Sequence, residues 1–282
     1  MSAPEEIAIA GQLACLLEAS APKPGNVSPE RPFHDTRYED LLVSAAAIGP
    51  ALAAAGARSL GTTIRSAAEA TSRWTRSNTN LGIILLLAPL ARAASRPGGT
   101  LRERLAAVLG ETTVTDATEA YVAIRLARPG GLGRSEAQDV TGLPTVALRE
   151  AMALAAHRDS IAKEYVSTFA VTFELGAPAL RTARADGLGW TDATVETYLR
   201  LLGAVPDTHI ARKVGVPVAG EVSRRAREVL AAGGVRSPEG RHAVAKLDAE
   251  LRDPTNSRNP GTTADLACAA LFVVIIEDGW NR

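Results

Sequence analysis

Apolar residues recur three and four positions apart along most of the chain, which is the spacing of one helix face. Between Glu5 and Ala19, the residues Ile7, Leu13, Leu16 and Leu17 keep this rhythm and predict a first helix. Residues 38–56 and 59–75 predict two more, the first carrying Leu41, Leu42, Ile48 and Leu52. A continuous apolar run opens at Leu81. Pro89 lies inside it and predicts a kink, and Arg96-Pro97-Gly98-Gly99 ends it. Further helices are predicted over 100–109, 115–127, 144–157, 159–173, 191–203, 217–232 and 238–251, with a last one entered at Pro260. Alternating strand patterns are absent or too short for a sheet. With no fixed-period repeat and no Ser/Gly linker, residues 1–282 are expected to form a single compact all-α domain of many helices.

Three polar, glycine-bearing segments stand where these helices begin. Asn259-Pro260-Gly261-Thr262-Thr263-Ala264-Asp265 reads as an N-cap, a proline at the first helical position and a first turn rich in hydroxyls. The amides of Gly261, Thr262 and Thr263 are expected to be unpaired at the positive end of the helix, with Asp265 one turn on. Free amides suit a phosphate, and a carboxylate beside a phosphate suits magnesium. Pro22-Lys23-Pro24-Gly25-Asn26-Val27 is a stiff turn that fixes the direction of one ammonium. Ser77-Asn78-Thr79-Asn80-Leu81-Gly82 opens the fourth helix with spare polar groups. Each segment alone reads as ordinary capping. Three in one chain suggest a common anionic ligand.

Composition narrows the class. Lys plus Arg equals Asp plus Glu at 31 each, so no basic field for nucleic acid and no polybasic membrane patch is expected. Hydrophobic residues make up 46% and aromatics only 4%, so the core must be built from Ala, Leu, Val and Ile. Cys15 and Cys268 are isolated and fit neither a metal motif nor a disulfide framework, which points to a reducing cytoplasm. No cleavable leader is read at the start, and the apolar run from Leu266 to Ile276 is too short to span a bilayer.

Together the motifs resemble the triphosphoribosyl-dephospho-CoA synthase family, which makes the prosthetic-group precursor of citrate lyase and malonate decarboxylase. Glu18 followed by Pro22-Lys23-Pro24-Gly25 resembles the family's N-terminal Glu and Pro-Lys-Pro-Gly. Phe33-His34-Asp35 resembles its His-containing acidic stretch, and Asp207-Thr208-His209-Ile210-Ala211-Arg212 its Asp-Thr-Asn…Arg segment. Asn259 to Leu266 resembles its Ser-Pro-Gly-Gly-Ser-Ala-Asp-Leu. The central motif departs: the family's Asn-Thr-His-Lys-Gly is here Asn78-Thr79-Asn80-Leu81-Gly82, and Asn26 stands where Leu is common. The chain therefore reads as a subfamily member with its own acceptor.

The resemblance implies that ATP is the substrate, that adenine is displaced from its ribose, and that a triphosphoribosyl group passes to a hydroxyl of dephospho-CoA or a related cofactor precursor. Lys23, Arg212 and the amides at 261–263 are expected to hold phosphates, with Gly25 and Asn26 beside them. Asp35, Asp207 and Asp265 are expected to supply Mg2+ ligands or the catalytic base, and Asn78 and Asn80 to bond ribose or adenine. Glu18, Arg134 and Asp139 are secondary candidates, the last two on the Gly-rich loop at 130–133 and just beyond it. That loop lacks the strand and the Lys-Ser of a Walker motif and reads equally as a helix connection. Asp159 and Lys163 are read as a solvated i,i+4 pair, and Glu164 as pointing inward. The expected partners are ATP and a small acceptor, without nucleic acid or membrane; a homodimer is a candidate assembly. Two alternatives stay open: phosphoribosyl transfer toward a pterin-linked one-carbon carrier such as tetrahydromethanopterin, and a non-catalytic nucleotide-binding helical protein.

Overall fold

The computed structural model describes residues 1–131, 133, 135 and 137–280. Among them it contains fourteen α-helices and no strand. The first six are α1 (Pro4–Ser20), α2 (Tyr38–Ala53), α3 (Leu60–Ser72), α4 (Leu81–Ala94), α5 (Leu101–Gly110) and α6 (Val114–Ala127). There follow α7 (Leu148–Ala155), α8 (Ser160–Ser167), α9 (Ala177–Ala185) and α10 (Trp190–Ala204). The last four are α11 (Thr208–Val214), α12 (Val216–Ala231), α13 (Pro238–Leu251) and α14 (Gly261–Asp278).

Helix starts follow local chemistry. Ser59, Thr100, Thr113 and Ser237 each accept an amide of the first turn at the heads of α3, α5, α6 and α13. Glu103 and Asp116 return the bond to the cap backbone and complete two capping boxes.

α14 is the axis of the fold. It is apolar on every side and buried from Thr262 to Ile275 apart from Asp265. α1, α4, α9, α10 and α11 pack around it. α4 is nearly as enclosed, and α2 and α3 close the side of the bundle away from α10 and α12. By length and composition Tyr38–Gly56 would suffice to cross a bilayer. Here it packs against α1 and α3.

Three stretches differ from the sequence reading. The helix expected over 159–173 stops at Ser167, because Thr168 and Phe169 adopt positive φ. The buried Glu164 carboxylate holds the break: it accepts the N–H of Val171 (3.0 Å) and the N–H and hydroxyl of Thr172 (2.9 and 2.6 Å). A π-helical turn, Thr172–Gly176, then runs into α9, a helix that was not expected. α11 was also not expected, although Asp207 at its N-cap, Arg212 and Lys213 in its last turn and Gly215 after it form a complete start and stop signal. The last helix begins at Gly261 with Pro260 as its cap, one residue later than expected.

Candidate active site

The N-termini of α4 and α14 meet at a cleft with two connected lobes. The inner lobe is a cavity of about 300 Å³, a size suited to part of a small ligand. Glu18 from the end of α1, Gly82 from α4, Asp159 before α8, Arg212 from α11 and Asp265 from α14 contribute to its wall. The outer lobe is about 910 Å³. Asn78, Asn80, His209 and Asn259 line both lobes and mark the boundary between them.

Asp265 is the most unusual group. It is half-buried, has no hydrogen-bond donor among the described residues, and borders the inner cavity. Burial raises its pKa well above the ordinary carboxylate value, and the charges of Glu18 and Asp207 push it further; Arg212 opposes them. Two helix N-termini, at Leu81 and Gly261, present their positive ends to the same space. Leu81 N–H donates to Asn78 Oδ1 at 3.1 Å, so Asn78 closes the first turn of α4. Asn80 Nδ2 donates to Thr71 Oγ1 at 3.2 Å.

Arg212 and Asp159 form an ion pair of 2.5 Å on the cavity wall. Asp159 Oδ1 also caps α8 by accepting the Ala162 amide at 3.0 Å. This corrects the surface reading of Asp159, which makes no ion pair with Lys163. Its position immediately before Ser160 was the available N-cap signal. Arg212 keeps a buried Nε without an acceptor, so its guanidinium has a further bond to give. His209 is neutral: burial and the nearby Lys213 and Arg212 charges lower its pKa to about 3.

Several expected site residues serve the fold instead. Lys23 is fully buried. Its ammonium donates to the carbonyls of Glu18 and Ala21 and pairs with the Glu18 carboxylate at 2.9 Å. All three donors are thus occupied within the fold. Gly25 turns with φ +73° and its amide donates to Asp248 Oδ1 at 2.8 Å; a Cβ there would lie 2.7 Å from Leu251 Cβ. It packs on α13 and lines neither lobe. Asn26 lines the inner lobe, with Oδ1 accepting the Val27 amide at 2.8 Å.

Asp207 is saturated as well. Oδ1 accepts the amides of His209 and Ile210 (2.8 and 3.0 Å), and Oδ2 accepts the amide and hydroxyl of Thr263 (both 2.7 Å). Two of the three amides expected to be free at the start of α14 are consequently taken, since Gly261 N–H also donates to the Asn259 carbonyl at 2.9 Å. Thr262 lines the inner lobe and its hydroxyl lies 3.3 Å from Thr208 Oγ1. Asp35 lines the outer lobe only. Asp139 borders the inner lobe and orders its own loop by accepting from Ser135 and Thr141. Arg134 lies outside the described residues. The three aspartates expected to bind one metal do not converge, and among the described residues no cluster of three or more His, Cys, Asp or Glu is arranged for a metal ion.

Comparison with known proteins adds to this geometry. The profile of a family described as ATP:dephospho-CoA triphosphoribosyl transferase matches residues 4–282. The 2-(5''-triphosphoribosyl)-3'-dephosphocoenzyme-A synthase of Klebsiella pneumoniae is 34% identical over 99 residues, covering 35% of this chain and 35% of that protein. A candidate enzyme of the same name from Pseudomonas fluorescens is 33% identical over 111 residues, covering 39% of this chain and 38% of its own length. These alignments therefore span little more than a third of each relative. A crystal structure of a candidate triphosphoribosyl-dephospho-CoA synthase from Archaeoglobus fulgidus superimposes with a TM-score of 0.66 at 26% identity, covering 85% of this chain and all of that one.

Proposed function

Because the chain belongs to the ATP:dephospho-CoA triphosphoribosyl transferase family, we propose that it transfers the triphosphoribosyl group of ATP to a hydroxyl of dephospho-CoA or a close relative and releases adenine. In this reaction the bond from the anomeric carbon to N9 of adenine breaks and a bond to the acceptor oxygen forms. The acceptor's proton leaves to a base, and adenine gains one. The observation that supports the reading best is Asp265: an unpartnered carboxylate in a cavity between two helix N-termini. Positive charge develops on the anomeric carbon in such a displacement, and a carboxylate facing it stabilises that charge. With its pKa raised above the ordinary carboxylate value, the same group suits acceptance of the acceptor's proton.

The other residues position the reactants. Arg212, held by Asp159, has its unsatisfied Nε for a substrate oxygen. Asn78, Asn80 and Asn259 at the lobe boundary have amide chemistry suited to ribose hydroxyls. Magnesium fits as an ion carried in with the nucleotide, since Mg2+ is commonly bound by one or two carboxylates plus substrate phosphates. Asp35 on the outer lobe is the residue that would hold it, and the ion would offset phosphate charge. We place the reaction in the cytoplasm, where ATP is supplied and the buried thiols of Cys15 and Cys268, 3.8 Å apart, stay reduced.

The test is mass spectrometry of dephospho-CoA after incubation with ATP, magnesium and the protein. A product heavier by one triphosphoribosyl group supports the reading. An unmodified acceptor in the presence of turned-over ATP contradicts it.

A further inference from the structure

The two lobes differ in charge. Among the described residues the outer lobe is lined by Arg76, Arg125, Arg128 and Lys213 against the single carboxylate of Asp35. The inner lobe has Glu18, Asp139, Asp159 and Asp265 against Arg158 and Arg212. His209, neutral at the boundary, adds no charge to either. Glu18 and Asp159 are already paired with Lys23 and Arg212, so the inner lobe has no cation excess to draw a polyanion, whereas the outer lobe does.

The outer cations are also largely unspent. Arg125 donates to the carbonyls of Val140 and Gly142 and so holds the neighbouring loop. Arg76 and Arg128 are exposed and have no acceptor among the described residues. Lys213 has one, the Asn256 carbonyl at 3.2 Å, and burial holds its pKa below the ordinary lysine value, a cost that an adjacent anion would offset. Arg128 is the left-handed C-cap of α6 with φ 49°, a position where glycine is the low-strain choice. The chain carries an arginine at this strained position on the lining of the outer lobe.

We propose that the outer lobe is a polyphosphate subsite in which Arg76, Arg128 and Lys213 hold the triphosphate tail, replacing the buried Lys23. This deepens the transfer reading, because it sets the ribose at the asparagine boundary and its anomeric carbon toward Asp265. Binding of the tail itself does not depend on turnover.

Calorimetry with inorganic tripolyphosphate, and with adenosine as control, tests the subsite in the full chain. Arg76→Gln, Arg128→Gly and Lys213→Gln should each weaken tripolyphosphate binding by roughly tenfold, as expected for loss of one charge-assisted contact. Adenosine affinity should be unchanged, and Arg128→Gly should melt no lower than the wild type because the strain is relieved. Wild-type tripolyphosphate affinity in all three variants, or none in the wild type, overturns the proposal. The transfer reading fails separately: tripolyphosphate binding that obeys these variants without any adenine release removes the reaction and supports the subsite. Undiminished adenine release in the triple variant removes the subsite and keeps the reaction.

Discussion

The carboxylate of Asp265 rests directly on Gly82: a methyl group at the Gly82 Cα would lie 2.0 Å from Asp265 Oδ2. The glycine of the central motif is thus required by an aspartate more than 180 residues away. Gly82→Ala should displace the carboxylate. Alanine is favoured over glycine inside a helix by about 1 kcal/mol, which offsets part of the packing cost. Adenine release is therefore expected to fall by at least ~10-fold, about 1.4 kcal/mol of barrier, with a much smaller change in the melting temperature. Full activity in this variant would show that the position of Asp265 does not matter.

Lys23→Ala should act on stability. It leaves the Glu18 carboxylate buried beside the site without its cation, and breaking a buried pair from one side typically costs about 3–5 kcal/mol. Urea denaturation is expected to show a loss of that order. A variant that folds as stably as the wild type but binds ATP poorly would restore Lys23 to a phosphate role.

Asp265→Asn should separate stability from function by pH. The folded-state pKa of Asp265 is raised, so the fold is favoured by its protonated form. The associated stability is fully present below the unfolded value near 3.8 and is lost as pH rises through the raised folded value. Asparagine mimics the protonated form. The variant should therefore melt higher than the wild type near neutral pH, with the difference shrinking as pH falls toward 4, while turnover is abolished. Equal melting temperatures across that range would contradict the desolvated state of this carboxylate.

Asp207→Ala removes the acceptor of four donors, two first-turn amides of α11 and the amide and hydroxyl of Thr263 that join α14 to it. Each orphaned buried donor costs about 1–3 kcal/mol, so the midpoint of denaturation should drop before any effect on catalysis can be measured. A stable Asp207→Ala protein without activity would instead argue for direct chemistry at Asp207.

Much of the fold was legible in the chain. The long helices announce themselves by spacing, caps and Pro/Gly stops, as at Thr100, Thr113 and Ser237. The break after Ser167 was not, because it depends on Glu164 gathering the Val171 and Thr172 amides, a contact set by tertiary packing. α11 is only seven residues long and shows no apolar period. The site was legible in part. Asp265, Asn78 and Arg212 reach the cleft, whereas Lys23 and Asp207 were read as ligand groups because a sequence shows charge and not burial. Asp159 was missed for the converse reason: an i,i+4 partner on paper outweighed an N-cap that the fold turns inward.

The most direct measurement is chromatographic analysis of the purine released when the protein is incubated with ATP, magnesium and dephospho-CoA. Free adenine is expected in amounts equal to the modified acceptor, with no ADP, AMP or inorganic phosphate formed in step. ADP or AMP as the purine product, with no adenine, would show that a phosphoanhydride and not the glycosidic bond is cleaved, and would contradict the assignment of Asp265 to the anomeric carbon.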